Sequence, residues 1–223
     1  MKKIFSISIL LLFISQVYSM AGFGLNLNQT MFSVDEKTNS INNIGSYGYE
    51  KISGSNGLGG YLYIDAIPFI DIDLEFSGFG TTYNYSVIID QTQTTTSYSL
   101  PFGSLAGYLT MQKEIFQLKI PFLAKTKFTA GAGLNHQIYK SLPNESDLVA
   151  LIGSASTAPS EDALIDFVKD NTSSVTSFHI QTGLQFKLLM LDSFLYYRQV
   201  FADDVIPSAK GFGSLNLRLG MGF

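Results

Sequence analysis

The chain has 223 residues with no cysteine and no tryptophan, but with 12 tyrosines, 18 phenylalanines and 20 glycines. Charged residues make up 14% of the chain, well below the roughly 25% of ordinary soluble domains. The lack of cysteine excludes disulfides and thiolate metal sites. A formal net charge of −4 at pH 7 argues against nucleic acid as a partner.

The first 21 residues have the organisation of a secretory signal peptide. Lys2 and Lys3 precede an apolar run over residues 4–14, and small residues follow at Ser19 and Ala21. This run is shorter than the ~20 apolar residues of a spanning helix. We therefore expect residues 1–21 to be cleaved off and residues 22–223 to form one mature domain. Losing two of the 14 basic residues leaves 12 against 18 acidic ones, a net charge of −6.

Alternation of apolar and polar residues predicts strands along the rest of the chain. The first covers about residues 22–34 and a polar loop, residues 35–56, follows it. The second covers about residues 57–67 and ends in a tight turn at Ile67-Pro68-Phe69. The third alternates most clearly, with Ile70, Ile72, Leu74 and Phe76 against Asp71, Asp73, Glu75 and Ser77. Successive side chains point to opposite faces, so one face is apolar and the other charged.

Five further strands follow, again joined by alternating long and short connections. A polar tip near residues 90–96 leads into the fourth strand, whose alternation slips near residues 113–116 and predicts a β-bulge. Short turns are expected at 120–123 and 190–193, and strands at about 125–139, 175–188, 194–201 and 213–223. An insertion at residues 140–174 contains a capped helix, with Ser160 as its N-cap.

These features predict an all-β fold: an eight-stranded antiparallel up-and-down transmembrane β-barrel with a helix-containing extracellular loop. An even strand number, short periplasmic turns and longer outer loops are typical of such barrels. No later segment is apolar enough for a spanning helix, and a closed barrel is the other structure that crosses a bilayer. Two aromatic girdles are expected near the membrane surfaces. Their residues would be Tyr83, Tyr85, Tyr98 and Tyr139 near the long loops, and Phe69, Phe122, Phe194 and Phe223 near the short turns.

The faces opposite the apolar ones carry charges of both signs into the predicted lumen. The acids are Asp65, Asp71, Asp73 and Glu75, and the bases are Lys127, Lys187, Arg198 and Arg218. An eight-stranded barrel has an interior that side chains just fill, and unpaired buried charges are costly. We therefore predict a network of ion pairs that plugs the lower lumen. A charged, selective pore is the alternative.

The last strand resembles the closing strand of bacterial outer-membrane β-barrels. It alternates Leu215, Leu217, Leu219, Met221 and Phe223 against Ser214, Asn216, Arg218, Gly220 and Gly222. In that class the closing strand commonly ends in an aromatic residue that the assembly machinery reads. The resemblance therefore implies that Leu219, Met221 and Phe223 form a C-terminal assembly signal and that the barrel-assembly machinery is a partner.

The chain as a whole resembles the small outer-membrane barrels of the OmpA, OmpX and OmpW kind. Leu100-Pro101 at the opening of a strand, and residues 131–135 before a long outer loop, are similar to OmpW-like barrels. Barrels of the OmpW type are thought to pass small hydrophobic molecules through a lateral or apical opening. The resemblance thus implies an outer-membrane location, contact with outer-membrane lipid and a small hydrophobic ligand.

Two histidines are the candidates for catalysis. His136 points outward near the outer end of the fifth strand, and His179 points inward. Hydrolysis by a serine nucleophile needs a histidine within hydrogen-bond reach and an acid that orients it. The serine expected two residues after His136 is missing, because Ile138 stands there. We predict no catalytic residue, no metal site, since the histidines are distant and cysteine is absent, and no cofactor.

The 140–174 insertion is too apolar for a solvated loop. Its apolar residues, offered as ligand or lid contacts, are Leu148, Leu151, Ile152, Leu164, Phe167 and Val168. They would cap the barrel mouth, lie on the outer leaflet or line a pocket for an apolar ligand.

Three functions stay open on the sequence. The first is a non-enzymatic outer-membrane barrel with a structural or surface-contact role, or a narrow conduit or binder for small apolar molecules. The second is a lipid-modifying barrel enzyme near His136. The third is a soluble periplasmic, lipocalin-like ligand carrier, in which the polar and apolar faces would be exchanged.

Overall fold

The computed structural model describes residues 21–41, 45–67, 70–90, 92–120, 124–152 and 158–222, which hold twelve strands and two helices. The strands are β1 (Ala21–Met31), β2 (Ser33–Val34), β3 (Lys37–Ile41), β4 (Gly45–Tyr49), β5 (Ile52–Ser53), β6 (Asn56–Ile67), β7 (Ile70–Ile89), β8 (Thr94–Ile120), β9 (Ala124–Lys140), β10 (Thr172–Leu188), β11 (Leu191–Phe201) and β12 (Phe212–Gly222). The helices are α1 (Glu145–Ile152) and α2 (Glu161–Asp170). The predicted signal peptide falls on residues 1–20, outside this description, and on Ala21, where β1 begins.

Eight of these strands form a closed ring. The order is β1, β6, β7, β8, β9, β10, β11 and β12, each antiparallel to its neighbours, and β12 pairs back onto β1. At this closure Leu25 lies opposite Leu219. The predicted bulge is present as a register shift between Glu114 and Phe116 where β8 pairs with β9. The predicted eight-stranded up-and-down barrel is thus confirmed.

The outer face of the barrel is apolar and its inner face is polar. Leu25, Leu58 and Leu105 are each about 70% exposed on the outside, at 71%, 73% and 68%. Asn26 and Arg218 are fully or almost fully buried inside. Strand alternation produces both faces at once. A lipocalin-like carrier requires the reverse arrangement, so the third functional alternative is contradicted.

An extension rises from the ring at its long-loop end. Residues 85–89 of β7 pair with β4, β4 pairs with β3, and β2 pairs with β5. The expectation of an irregular loop at residues 35–56 was therefore wrong. Asn, Ser, Thr, Gly and Tyr make up most of β3 and β4, so the alternation of hydrophobicity there is too weak to be detected in the sequence.

The girdle prediction was also wrong for the residues that the structure describes. Tyr83, Tyr85, Tyr98 and Tyr139 are all buried, and so is Phe194. The three other predicted girdle residues, Phe69, Phe122 and Phe223, lie outside the described ranges. For Tyr83 and Tyr85 the physical reason is the unbroken alternation of β7, which keeps them on the same inner face as Asp73 and Glu75.

Within the described ranges, neither helix is long or apolar enough to cross a membrane.

Candidate functional site

Glu75 of β7 lies at the centre of a buried charge network that crosses the lumen. Arg198 of β11 donates to both carboxylate oxygens, with Nη1 to Oε1 and Nη2 to Oε2 each 2.9 Å. Arg218 of β12 donates from Nε to Oε2 at 3.2 Å. Both arginines are 1% exposed and Glu75 is fully buried. One carboxylate thus holds two guanidinium groups, the first in the two-pronged geometry of strong ion pairs.

Asp73 pairs with the second arginine, Arg218. Arg218 Nη1 donates to Asp73 Oδ2 at 2.7 Å, and Gln112 Nε2 donates to the same oxygen at 3.1 Å. Asp73, Glu75, Arg198 and Arg218, hereafter the central network, therefore contain two acids and two bases. Pairing of this kind is what makes burial of charge tolerable.

Aromatic rings fill the space around the central network. The Arg198 guanidinium lies 3.8 Å from the centre of the Tyr108 ring. The Arg218 guanidinium lies 4.7 Å from the Tyr61 ring centre and 4.8 Å from that of Tyr196. All three distances lie within the range of cation–π attraction. Tyr196 also donates from its hydroxyl to Glu75 Oε2 at 2.6 Å. These tyrosines are not among the predicted lumen residues, although their inward strand positions indicate them.

A second cluster surrounds Lys127 toward the short-turn end. Its ammonium lies 3.1 Å from Asp65, 3.4 Å from Glu114 and 3.8 Å from Asp71. Glu114 was missed because the bulge of β8 disturbs the alternation that would have placed it. Three carboxylates therefore surround one buried ammonium below the central network.

Lys187 belongs to a third, local pair. Its ammonium lies 3.7 Å from Asp192 Oδ2 on the neighbouring strand β11. Tyr63 donates its hydroxyl to that same carboxylate, and Gln185 donates to Asp192 Oδ1 at 3.1 Å. Asp192 was missed because residues 190–193 were assigned to a turn, whereas β11 already begins at Leu191. The eight predicted lumen residues therefore lie inside the barrel in three groups.

Farther from the central network, toward the long-loop end, the interior becomes apolar. Buried residues of the barrel and of the extension, which includes both helices, form one cluster. This upper core includes Tyr83, Tyr85, Val87, Leu100, Phe102, Leu148, Leu164, Val168, Val200, Ile206 and Phe212. Between it and Arg198 lies a cavity of about 10 Å³ lined also by Tyr108 and Asn216. That space holds about one water molecule. Side chains therefore fill the lumen at two levels.

The predicted loop contacts are mostly part of this upper core. Leu148, Leu164 and Val168 are buried, and Leu151 and Phe167 pack against the cluster at its edge. The side chain of Ile152 lies outside the description. The buried members cannot line an open pocket or lie on the outer leaflet, because the packing against the barrel extension already covers them. Of the three expectations for the insertion, a pocket lining and contact with the outer leaflet do not fit this burial, whereas a cap over the barrel mouth stays a prediction.

One polar contact caps a helix of the insertion and another joins the insertion to the barrel. Ser160 caps α2 by accepting from the Ala163 backbone N–H at 3.3 Å, as predicted for the N-cap. Tyr98 of β8 donates its hydroxyl to the Pro159 carbonyl at 2.7 Å. Burial, and then the nearby carboxylate of Glu145 in α1, raises the pKa of the Tyr47 phenol above its ordinary value of 10. The extension is thus tied together across β4, β8 and both helices.

Neither histidine has the partners of a catalytic base. His136 is exposed on the outer wall, with Nδ1 2.9 Å from Thr176 Oγ1. His179 is buried, with Nε2 2.8 Å from Thr110 Oγ1. In the described ranges no carboxylate hydrogen-bonds to either ring, and no group of three or more metal-ligating side chains occurs. A triad with an orienting acid is not formed at either place.

Known structures of small barrels are similar to this one in strand course. The N-terminal β-barrel domain of Pseudomonas aeruginosa OprF is 10% identical, over 91% of this chain and 99% of that one, with a TM-score of 0.41. The outer membrane protein OprG of the same organism is 9% identical over 91% and 95%, with a TM-score of 0.46. Ail, the attachment invasion locus protein of Yersinia pestis, is 11% identical over 91% and 95%, with a TM-score of 0.40. No family model and no curated protein sequence matches the chain.

The closed ring, with an apolar outer face and a polar inner face, determines the class of fold. The chain is a small transmembrane β-barrel of the bacterial outer-membrane type. Apolar residues outside, polar residues inside and alternating short and long connections are its marks.

Proposed function

We propose that this chain is a non-enzymatic outer-membrane β-barrel with a closed lumen and a structural and surface-contact role. The observation that carries the proposal is the central network. Arg198 and Arg218 reach across the barrel from β11 and β12 to the same carboxylate of Glu75 on β7, and all three are buried. A pore would keep such charges hydrated at its wall rather than joined across its centre.

The energetics of the network support closure over a gated conduit. Separating Glu75 from its arginines leaves buried charges without partners, which costs several kcal/mol for such pairs. Thermal opening of the lumen at this level is therefore rare. The upper core adds a second barrier of packed rings and aliphatic side chains. Passage of small apolar molecules along the lumen is for this reason not part of the proposal.

Surface contact would be made by the extension. It projects beyond the ring as hydrogen-bonded strands and two helices packed on one apolar core. Its exposed face carries polar and acidic residues, including Glu161, Asp162 and Asp166 of α2. A packed, preordered surface loses less conformational entropy on binding than a mobile loop.

Export and assembly complete the proposal. The short turns lie on the periplasmic side and the extension outside the cell, as in barrels of this type. Residues 1–21 direct export and are cleaved. Leu219 and Met221, exposed on the outer face of β12, together with Phe223, which lies beyond the described residues, are read by the barrel-assembly machinery.

Conductance of the purified barrel in planar lipid bilayers tests the closed lumen. We expect no stable conductance steps, with insertion verified by heat-modifiable migration and by protease protection of the β-strands. Reproducible steps of one size, seen in every insertion, would show an open pore and contradict the proposal. A lipid hydrolase assay on the same preparation tests the non-enzymatic part, because turnover lost in His136→Ala would establish the enzyme alternative.

A further inference from the structure

The outer wall of the barrel is interrupted by a groove of about 720 Å³ where β8 separates from β9. Pairing between these strands stops at Ser104 and Tyr139, whereas β8 stays paired with β7 up to Thr94. Gly80 of β7 and Gly103 of β8 lie opposite each other beside this fork. With no side chains at these two positions the wall stays bare, and we call this space the upper groove.

The upper groove is apolar at its floor and carries one charge at its rim. Phe79 and Phe102 lie at its inner side, and Leu105 and Ile138 at its lower edge. Among the described residues that line it, Lys140 is the single charged one. The Lys140 ammonium donates to the backbone carbonyl of Lys169, which fixes it at the end of β9. An amphiphile with an apolar tail and an anionic head matches this arrangement.

A second space continues the upper groove downward. This lower groove has a volume of about 470 Å³ and shares Leu105 and Ile138 with the upper one. Phe76, Gly107 and His136 also line it. From Thr82 to Phe76 the two grooves follow β7 over about 20 Å at the usual rise of ~3.3 Å per residue. Together they form one continuous track along the wall.

The depth of the track in the membrane follows from the polarity of the residues that face outward on β7. Below Gly80 the outward residues are apolar, as at Leu74 and Phe76. Above it they are the polar Thr82 and Asn84, both exposed. The edge of the lipid-facing belt therefore lies at Gly80. The lower groove is at hydrocarbon depth, and Lys140 at the rim of the upper groove is at headgroup depth.

We propose that the track binds an acyl chain of an outer-leaflet lipid, whose phosphate-bearing headgroup is held by Lys140. The track is continuous with the lipid-facing wall, and lipid chains are the molecules that fill space at that depth. The bare glycines let a chain lie against the backbone, and the ammonium favours an anionic head over a zwitterionic one. The proposal requires the barrel to be in a membrane but not that its lumen is closed.

Photo-crosslinking in lipid nanodiscs tests this site, with phosphatidylglycerol that carries a diazirine in its acyl chain. Gly80→Leu fills the upper groove, since a Cβ there meets no atom closer than 3.9 Å. Gly60→Leu is the matched control: its Cβ is equally free, with the nearest atom at 3.6 Å, and it lines neither groove. We expect crosslinks concentrated in residues 76–80 and 103–107, below the edge of the lipid-facing belt, at least about fivefold fewer crosslinks in Gly80→Leu, and no change in Gly60→Leu.

Two further variants test the acyl-chain contact and the headgroup contact separately. Thr172→Phe narrows the upper groove from β10 and should also reduce crosslinking. It replaces Gly80→Leu if heat-modifiable migration shows that Gly80→Leu folds poorly. Lys140→Gln keeps a hydrogen-bond donor but removes the charge. It should lower the preference for phosphatidylglycerol over phosphatidylcholine severalfold while crosslinking to the track persists.

Three outcomes would overturn the proposal. One is equal crosslinking of the wild-type chain, Gly80→Leu and Thr172→Phe. Another is crosslinks spread evenly around the barrel, which marks unspecific boundary lipid. The third is displacement of the probe by an uncharged alkane but not by unlabelled phosphatidylglycerol, which would assign the track to small apolar molecules. None of these results changes the conductance expected of a closed lumen, so the two proposals fail separately.

Discussion

Strands β7 and β8 run from the lower barrel, below Gly80, into the extension, and the polarity of their two faces is opposite in the two regions. On the lower part of β7, Asp73 and Glu75 point inward and Leu74 points outward. Higher on the same strand Tyr85 points inward and Asn84 outward, without any break in the alternation. The inside thus changes from charged to apolar, and the outside from apolar to polar, along one continuous strand.

This difference shows which surroundings each region is built for. Where lipid covers the wall, the outside supplies no polar partners, and the polar groups gather inside and pair with each other. Where water covers the wall, the extension has an apolar interior like any soluble domain. The change falls at Gly80 on β7 and at Gly103, opposite it, on β8. One pair of glycines therefore marks the edge of the lipid-facing belt.

The largest effect is expected at the centre of the lower barrel. Glu75→Ala removes the carboxylate that both Arg198 and Arg218 share. Removing one partner of a buried pair costs about 3–5 kcal/mol, which urea unfolding in vesicles, followed by heat-modifiable migration, measures. Glu50→Ala is the control, because Glu50 is exposed on the extension.

The double variant Glu75→Ala/Arg198→Ala removes one acid and one base and should recover part of this loss. Arg218 then keeps Asp73 as its partner. Wild-type stability of Glu75→Ala would show that the lumen charges are hydrated and that the lower interior is not a packed network.

The extension should respond to loss of apolar volume instead. Leu164→Ala removes a fully buried side chain from the upper core. A loss of about 2–5 kcal/mol is typical of such changes, and it should appear as faster hydrogen exchange and proteolysis in the extension, with the ring intact. Val149→Ala, at a position that is 40% exposed, should behave like the wild type. Simultaneous unfolding of the ring would mean that the two regions are one cooperative unit.

A charge introduced on the outer face should affect stability differently in the two regions. Leu134 projects from β9 in the middle of the apolar belt and is 60% exposed. Leu134→Arg should cost about 2–4 kcal/mol, as charges do at the bilayer midplane. Ser99→Arg, on the exposed face of β8 above Gly103, should change stability by less than about 0.5 kcal/mol. Equal costs for the two variants would remove the distinction between the faces.

The smallest effect is expected at the rim of the lower barrel. Glu114 contacts Lys127 at 3.4 Å, but its side chain is 35% exposed. Water screens such a pair, so Glu114→Gln should cost about 0–1 kcal/mol in the same urea assay. A loss as large as that of Glu75→Ala would extend the buried network down to the turns.

Strand alternation was enough to predict the barrel and the inward position of its charges. The alternation places the side chains of Asp73 and Arg218 inside the barrel. It indicates neither their depth along the barrel axis nor the side chains with which they pair. It therefore could not show that Lys187 pairs locally with Asp192 rather than with the acids of β6 and β7. The same alternation, followed along β7, also places Tyr83 and Tyr85 inside.

The extension was harder to predict, for a physical reason. Its strands face water on one side and a small core on the other, and Gly, Ser and Asn obscure the alternation, as in β4. The apolar residues of the insertion were visible, but their partners on β7 and β8 lie about 50 to 80 residues earlier in the chain. Without those partners Leu148 and Leu164 looked like candidates for ligand contact.

A spin-label scan of β7 tests the reversal of faces most directly. The chain has no cysteine, so single cysteines can be placed at positions 74, 76, 82 and 84, and the labelled barrel studied in lipid vesicles. We expect labels at 74 and 76 to be accessible to oxygen, which dissolves in lipid, and labels at 82 and 84 to a water-soluble nickel chelate. Nickel access at 74 and 76, or lipid-like access at 84, would contradict a membrane edge at Gly80.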